Sequence, residues 1–373
     1  MERRIALCLC ACLSALPACK RSQVPRTVGL ALDVGGRGDQ SFNDGALRGL
    51  EAMAAGLRYT AKGYEPLAEA DYRKLLPADL RGSPFPHLGI PPPLVLSGKA
   101  QEDYEPNLQL LVDQGAVLVV AVGFMMEPAA RAVSARNPNA RFLLIDSPVL
   151  DASGKPTTAP NVRAVVFREH EGSFLAGALA GRLTRGKVGF VGGMQLPLIR
   201  KFETGYRAGV RQVNPAAEVM VAYTGSFDDE KKGIEVGQDL YARGCDIVFH
   251  GAGLDGLGVI KAAQHSGKWV IGVDSDQSHV APDNVLTSMV KHVDVAVYQA
   301  VKDVLEGRFA GGDVALGLKE GGLTLAPLGP MVAPAEAKAA LKEADRLREE
   351  IVAGRLEVPA TLEQLAKFAA AHP

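Results

Sequence analysis

Short unbroken runs of aliphatic residues, each followed by a longer amphipathic stretch, recur from residue 28 onward and restrict this chain to few folds. The runs are VGLALD (28–33), AVLVVAV (116–122), ARFLLID (140–146), KVGFVGG (187–193), AEVMVAYTG (217–225), CDIVFHG (245–251) and KWVIGVD (268–274). They are the length of strands, and they lack the polar alternation of a sheet with one wet face. Such runs suit strands of a parallel sheet covered by helices on both sides. The stretches 43–57, 196–213, 229–242 and 254–265 read as those helices, which makes the fold class α/β. The plan occurs twice, before about residue 150 and again from about 185 to 275, and 373 residues are more than one core usually serves. Two lobes with a cleft between them are therefore expected. Ligands of open α/β sheets bind beyond the carboxyl ends of the strands, so functional residues are sought just after each run.

Two segments depart from this rhythm. Residues 74–98 are rich in proline, including Pro91-Pro92-Pro93, and read as a surface loop or insertion, because proline removes backbone donors and blocks helix. After Pro359 the pattern gives one short helix within a tail spanning 357–373.

Residues 2–19, ERRIALCLCACLSALPAC, place two arginines before an apolar run too short to span a bilayer, which is the plan of a secretory signal. Leu16-Pro17-Ala18-Cys19 resembles the bacterial lipobox, although Pro17 is unusual at its place. Leu9-Cys10-Ala11-Cys12 is a second candidate that leaves a shorter apolar core. The expectation is a signal peptide over 1–19, acylation of Cys19, and a protein lipid-anchored in the cell envelope outside the cytoplasm. Four of the five cysteines fall in this segment, so a disulfide framework is excluded and Cys245 reads as a core residue. A net charge of -1 without a polybasic stripe gives no electrostatic basis for nucleic-acid binding.

Several motifs compete for attention. GAGLDG (251–256) is a literal G-x-G-x-x-G between a strand and a helix, with Asp274 at the spacing of a ribose-binding acid. It comes too late in the chain for a full dinucleotide fold, and an exported protein leaves the cytoplasmic cofactor pool. Its glycines are better explained by close approach of backbone to a ligand. Arg37-Gly38-Asp39 spells an adhesion tripeptide by coincidence. His170 stands between Glu169 and Glu171, but adjacent residues on a helix point apart, so no metal site is expected. No HExxH, CxxC or GxSxG pattern occurs and no nucleophile, base and acid assemble; a binding protein without cofactor is expected rather than an enzyme.

The segment VGLALDVGGRGDQSFNDGALRGL (28–50) resembles the opening of the basic membrane protein family of bacterial lipoproteins. Further segments agree in order: DYEPNLQLLVDQGAVLVVAVGF (103–124), NVRAVVFREHEGSFLAGALAG (161–181), KVGFVGGMQLPLIRKFETGYRAG (187–209), AYTGSFDDEKKG (222–233), DIVFHGAGLDGLGVIKAA (246–263), VIGVDSDQ (270–277) and VLTSMVKHVDVAVYQAV (285–301). The resemblance runs from about 27 to 356 and departs at 74–98. It implies a type I periplasmic-binding-protein fold, two Rossmann-like lobes joined by three crossing segments. The first lobe would hold 24–166 plus 290–314, the second 167–285 plus 315–356. It further implies a monomer that delivers a purine nucleoside to an ABC permease. The alternatives are riboflavin or another flat aromatic metabolite in the same fold, and a nucleoside-hydrolysing enzyme.

A nucleoside offers a flat base and ribose hydroxyls. Phe42, after the first strand, can stack on a base while the Asn43 amide reads its edge, and Ser41 beside them belongs to the same expected ligand set. The competing reading makes Phe42 a staple for the next helix and Asn43 its cap. Phe227 is expected to hold the matching place in the other lobe, so that two rings sandwich the base. Phe202 and Tyr206 share helical spacing with Ile199 and are assigned to the core. Ionised carboxylates accept from two hydroxyls at once, so Asp274, Asp33 and Asp146, each ending a strand, are the ribose candidates. Helix capping or a solvated turn is the alternative for any one of them. Lys291 completes the expected set as a donor, and Gly251 and Gly253 as sites of close backbone approach.

Overall fold

The structure is a computed structural model that describes residues 26–372; the signal segment and Cys19 lie outside the described residues. Its two six-stranded sheets have the same order of strands. In the first, β1 (Val28–Leu32), β2 (Leu94–Ser97), β3 (Leu118–Val122), β4 (Phe142–Ile145) and β5 (Val162–Phe167) run parallel. The second holds β6 (Lys187–Gly192), β7 (Glu218–Tyr223), β8 (Ile247–Gly251), β9 (Trp269–Asp274) and β10 (Val285–Lys291), also parallel. β11 (Gly312–Leu316) then joins the first sheet beside β5, and β12 (Leu323–Leu325) joins the second, antiparallel to β10. The orders are β2-β1-β3-β4-β5-β11 and β7-β6-β8-β9-β10-β12, so each strand has a counterpart in the other lobe.

The aliphatic runs become strands because both faces are covered. All five residues of β1, β3 and β8 are buried. The helices that cover the first sheet include α1 (Phe42–Leu47), which runs on as a π-helical segment (Arg48–Ala55), α2 (Tyr104–Asp113) and α3 (Glu127–Arg136). Around the second lie α4 (Glu169–Leu183), α5 (Pro197–Val213), α6 (Glu230–Ala242) and α7 (Asp255–Ser266). The chain crosses between sheets after β5, again after β10 into α8 (Val293–Leu305), which packs on the 48–55 segment, and finally between β11 and β12. α9 (Pro334–Val352) and α10 (Leu362–Ala371) pack on α4 and α5 respectively. Among the described residues no helix is long and apolar enough to cross a membrane.

The proline-rich segment is more than the surface loop that its composition suggests. Its end, Leu94–Ser97, is strand β2, paired with β1 at the edge of the first sheet. Edge strands tolerate nearby prolines because one side needs no partner, so Pro91–Pro93 can lead straight into it. Upstream, the segment is strapped to α8: the Tyr298 hydroxyl donates to the Pro86 carbonyl (2.8 Å), and the Phe85 ring meets Tyr298 edge-on. The helix expected over 43–57 ends at Ala55, where Gly56 turns left-handed, and Leu57–Thr60 pairs with Gly63–Pro66 as a hairpin.

The second lobe is centred on Phe190, whose fully buried ring packs against Tyr206 and Phe249. Phe190→Ala should cost about 3–5 kcal/mol of stability, read from the urea midpoint; a loss below about 1 kcal/mol would contradict this packing.

Candidate ligand-binding site

Both sheets point their carboxyl ends at one cavity between the lobes, with an empty volume of about 560 Å³, its mouth included.

Lys291, the last residue of β10, stands at a lobe crossing and is buried. Its Nζ lies 2.6 Å from Asp146 Oδ2, 3.8 Å from Asp274 Oδ1 and 3.9 Å from Glu169 Oε1. It also faces the rings of Phe42, Phe167 and Phe202, at 4.7, 5.2 and 5.6 Å from their centroids. Burial alone would favour the neutral amine, but the three carboxylates outweigh it and raise the pKa, so the ammonium stays charged. Burial in turn raises Asp274 and Glu169, with Lys291 pulling both back.

Asp146 and Asp274 are counterparts, each placed by the fourth strand of its lobe. Both have left-handed backbones, with φ of 71° and 63°, a conformation that aspartate adopts more readily than most residues. Each keeps one buried oxygen, Oδ1, without a hydrogen bond. An unsatisfied buried acceptor is costly, and here two converge on one cavity from opposite lobes.

The loop after β1 is organised by two further acids. Asp39 accepts from the backbone N–H groups of Ser41, Asn43 and Asp44 at 3.0, 2.8 and 3.0 Å. It therefore supplies the N-terminal satisfaction of α1 that one reading gave to Asn43. Instead, Asn43 Nδ2 donates to Asp33 Oδ1 (2.7 Å) and Asp39 Oδ2 (3.1 Å), and its Oδ1 is left unpaired. Burial pushes Asp33 up to about 6 and Asp39 to about 7; Asp146 and Asp228 add to the first and Asp44 to the second. Ser41 reaches across the cleft, its hydroxyl donating to Asp274 Oδ2 at 2.7 Å.

Aromatic rings complete the walls. Phe42 and Phe227 both line the cavity, but the structure does not give them matching places. Phe42 follows β1, whose counterpart is β6, whereas Phe227 follows the edge strand β7. The ring that Phe227 meets is Phe124, edge-on with centroids 6.1 Å apart. Phe202 lines the cavity as well as packing in the core, while Tyr206 is wholly core. Phe124 was within reach of sequence reasoning, since it follows the run AVLVVAV by one glycine. Glu169 was not, because β5 carries Arg163 near its start and does not read as an aliphatic run.

Gly251 and Gly253 line the cavity, whereas Gly256 makes room for a neighbour, since a Cβ there would collide with the His250 ring. The glycine motif thus follows the third strand of its lobe and accommodates a histidine. Glu169, His170 and Glu171 face three separate surroundings, with Glu169 toward Lys201 and Lys291, His170 held neutral by burial, and Glu171 accepting from the Leu318 N–H.

A family model described as ABC transporter substrate-binding protein, PnrA-like, matches residues 27–361. The chain is 35% identical over 280 residues to basic membrane protein A2 of Borrelia garinii subsp. bavariensis, covering 74% of this chain and 81% of that one. It is 31% identical over 353 residues to the CD4+ T-cell-stimulating antigen of Listeria monocytogenes serovar 1/2a, covering 89% and 88%. A solved solute-binding protein of an ABC transporter system from Aeropyrum pernix K1 superposes with a TM-score of 0.73 at 27% identity, over 93% of this chain and 98% of that one. The architecture is the type I periplasmic-binding-protein fold.

Removing the central cation tests the electrostatics of the site. In Lys291→Met the carboxyls of Asp274 and Glu169, already raised by burial, lose the cation that pulls them back, so their folded pKa values rise further above the unfolded ones. Stability from such groups is present at low pH and lost as pH rises through the folded values. The variant should lose about 3–5 kcal/mol at pH 8 and recover much of it toward pH 5. Urea midpoints that track the parent at both pH values would contradict this.

Proposed function

The chain belongs to the PnrA-like family of ABC-transporter substrate-binding proteins, extracytoplasmic binding components rather than enzymes, and from that premise we propose that it captures a purine nucleoside between its lobes. The observation that carries this reading is the pairing of chemistries in one cavity. Asp146 Oδ1 and Asp274 Oδ1 are buried acceptors without donors, and the rings of Phe42, Phe124, Phe202 and Phe227 line the same space. Vicinal ribose hydroxyls supply donors to carboxylates on the two lobes, and a base supplies a flat face for the rings. Asn43, held by Asp33 through its Nδ2 and with Oδ1 still open to a donor, is the residue proposed to read the edge of the base.

Because Asp146 and Asp274 come from different lobes, a ligand that bridges them binds the closed form better than the open one, and that difference drives closure. The closed protein then presents its ligand to an ABC permease. Acylation at Cys19 would keep it at the membrane, and the protein acts as a monomer.

Titration calorimetry with inosine and with hypoxanthine separates the two halves of the site. Asp274→Ala should weaken inosine far more than hypoxanthine, and equal losses would sink the ribose assignment. Phe42→Ala should weaken both, by about 1–3 kcal/mol, as expected for loss of a stacking partner. For the anchor, cells expressing the protein should incorporate labelled palmitate into it, and Cys19→Ser should abolish the label; persistence of the label would move the anchor elsewhere.

A further inference from the structure

One lip of the cleft is closed by a seam that lies beside the cavity, and apart from Ser41, which also holds Asp274, its residues have no place in the ligand chemistry above. On the first lobe it consists of Gln40 and Ser41; on the second, of the turn that follows β9. The Ser275 hydroxyl donates to the Ser41 carbonyl (3.1 Å), and Gln277 Nε2 to the Gln40 carbonyl (3.3 Å). The Gln40 side-chain oxygen meets His279 Nε2 at 2.7 Å. The Arg48 guanidinium approaches Ser275 Oγ at 3.4 Å. Gln40 holds a left-handed backbone, φ 49°, which glutamine adopts rarely; here it aims both its carbonyl and its side chain at the other lobe.

Gln277 is fully buried and its amide orientation is set by its surroundings. Its Oε1 accepts from the Val273 N–H (3.0 Å), a group that only donates, and faces His250 Nε2 at 3.0 Å. Burial lowers the His250 pKa to about 4, so the ring is neutral and its Nε2–H donates to the same oxygen. The Gln277 backbone N–H donates to Ser288 Oγ at 3.1 Å. Room for the amide comes from Gly272, where a Cβ would stand 2.6 Å from Oε1. With Oε1 doubly engaged by its own lobe, the amide NH2 points to Gln40. Gln277 thus ties β8, β9 and β10 together beneath Asp274 and reaches across the cleft.

We propose that Gln277, Gln40 and His279 are positioning residues for ligand capture: they fix the turn that carries Asp274 and latch the lobes without touching the ligand. This rests on the reading that a ligand is captured in the cleft, and not on which ligand it is. A latch of this kind lets the lobes meet before a ligand arrives and slows their separation afterwards, so it acts on dissociation more than on association.

The test uses Gln40→Gly/His279→Ala, which removes the side-chain bond of the latch at partly exposed and exposed positions, and as a second variant Gln277→Ala, which removes the bond to the Gln40 carbonyl. Small-angle scattering of the protein dialysed free of ligand should show a larger radius of gyration for both variants than for the parent. The thermal midpoint of Gln40→Gly/His279→Ala should equal that of the parent. With inosine as probe, stopped-flow dissociation should quicken about 3- to 10-fold, the size of one or two lost hydrogen bonds, while association does not slow. An unchanged radius in Gln40→Gly/His279→Ala, or a loss of affinity residing in association, would overturn the proposal. Failure of the parent to bind inosine would strike the nucleoside reading and leave the scattering result standing.

Discussion

The site depends on one buried charge. Lys291 ends an inner strand of the second lobe at the point where the chain crosses back to the first, and its side chain is buried. A buried cation is tolerated only when partners compensate it, and its partners come from three parts of the molecule: Asp146 from the first lobe, Asp274 from the second and Glu169 from the helix at the first crossing. The same requirement therefore fixes the lobes relative to each other and draws acceptor oxygens to the cleft. Three aromatic rings around the ammonium add attraction to its charge and wall off solvent.

What remains unsatisfied around this charge carries the chemistry. A structural ion-pair network would be expected to use all its oxygens, since buried unpaired acceptors reduce stability. Here Asp146, Asp274 and Asn43 each hold back one. The strained backbones of the two aspartates fit the same pattern, because such conformations persist where surrounding structure imposes them and cluster at binding sites. In the proposed reading a ligand with hydroxyls supplies the missing donors, and binding then relieves costs that folding left in place.

The strand-end acids were legible because a buried aliphatic run that stops at an aspartate leaves that side chain at the carboxyl edge of a sheet. Asp33, Asp146 and Asp274 all line the cavity for this reason. Phe124 obeys the same rule. The pairing of Phe42 with Phe227 was misjudged because spatial order in a doubly wound sheet differs from chain order: β7 is an edge strand, and its counterpart is β2, not β1. β2 itself hid behind three prolines, and β5 and β10 behind arginine and behind Thr287 and Ser288. Glu169 and Gln277 gave no local signal, since their roles depend on partners distant in sequence.

Mass spectrometry of the small molecule that stays with the protein through purification, released by denaturation, bears on this chemistry without any assumed ligand. The paired acceptors and the aromatic walls predict an intact purine nucleoside. A bare sugar, a free base or an acyclic metabolite would contradict that prediction, because each leaves either the carboxylates or the rings without a partner.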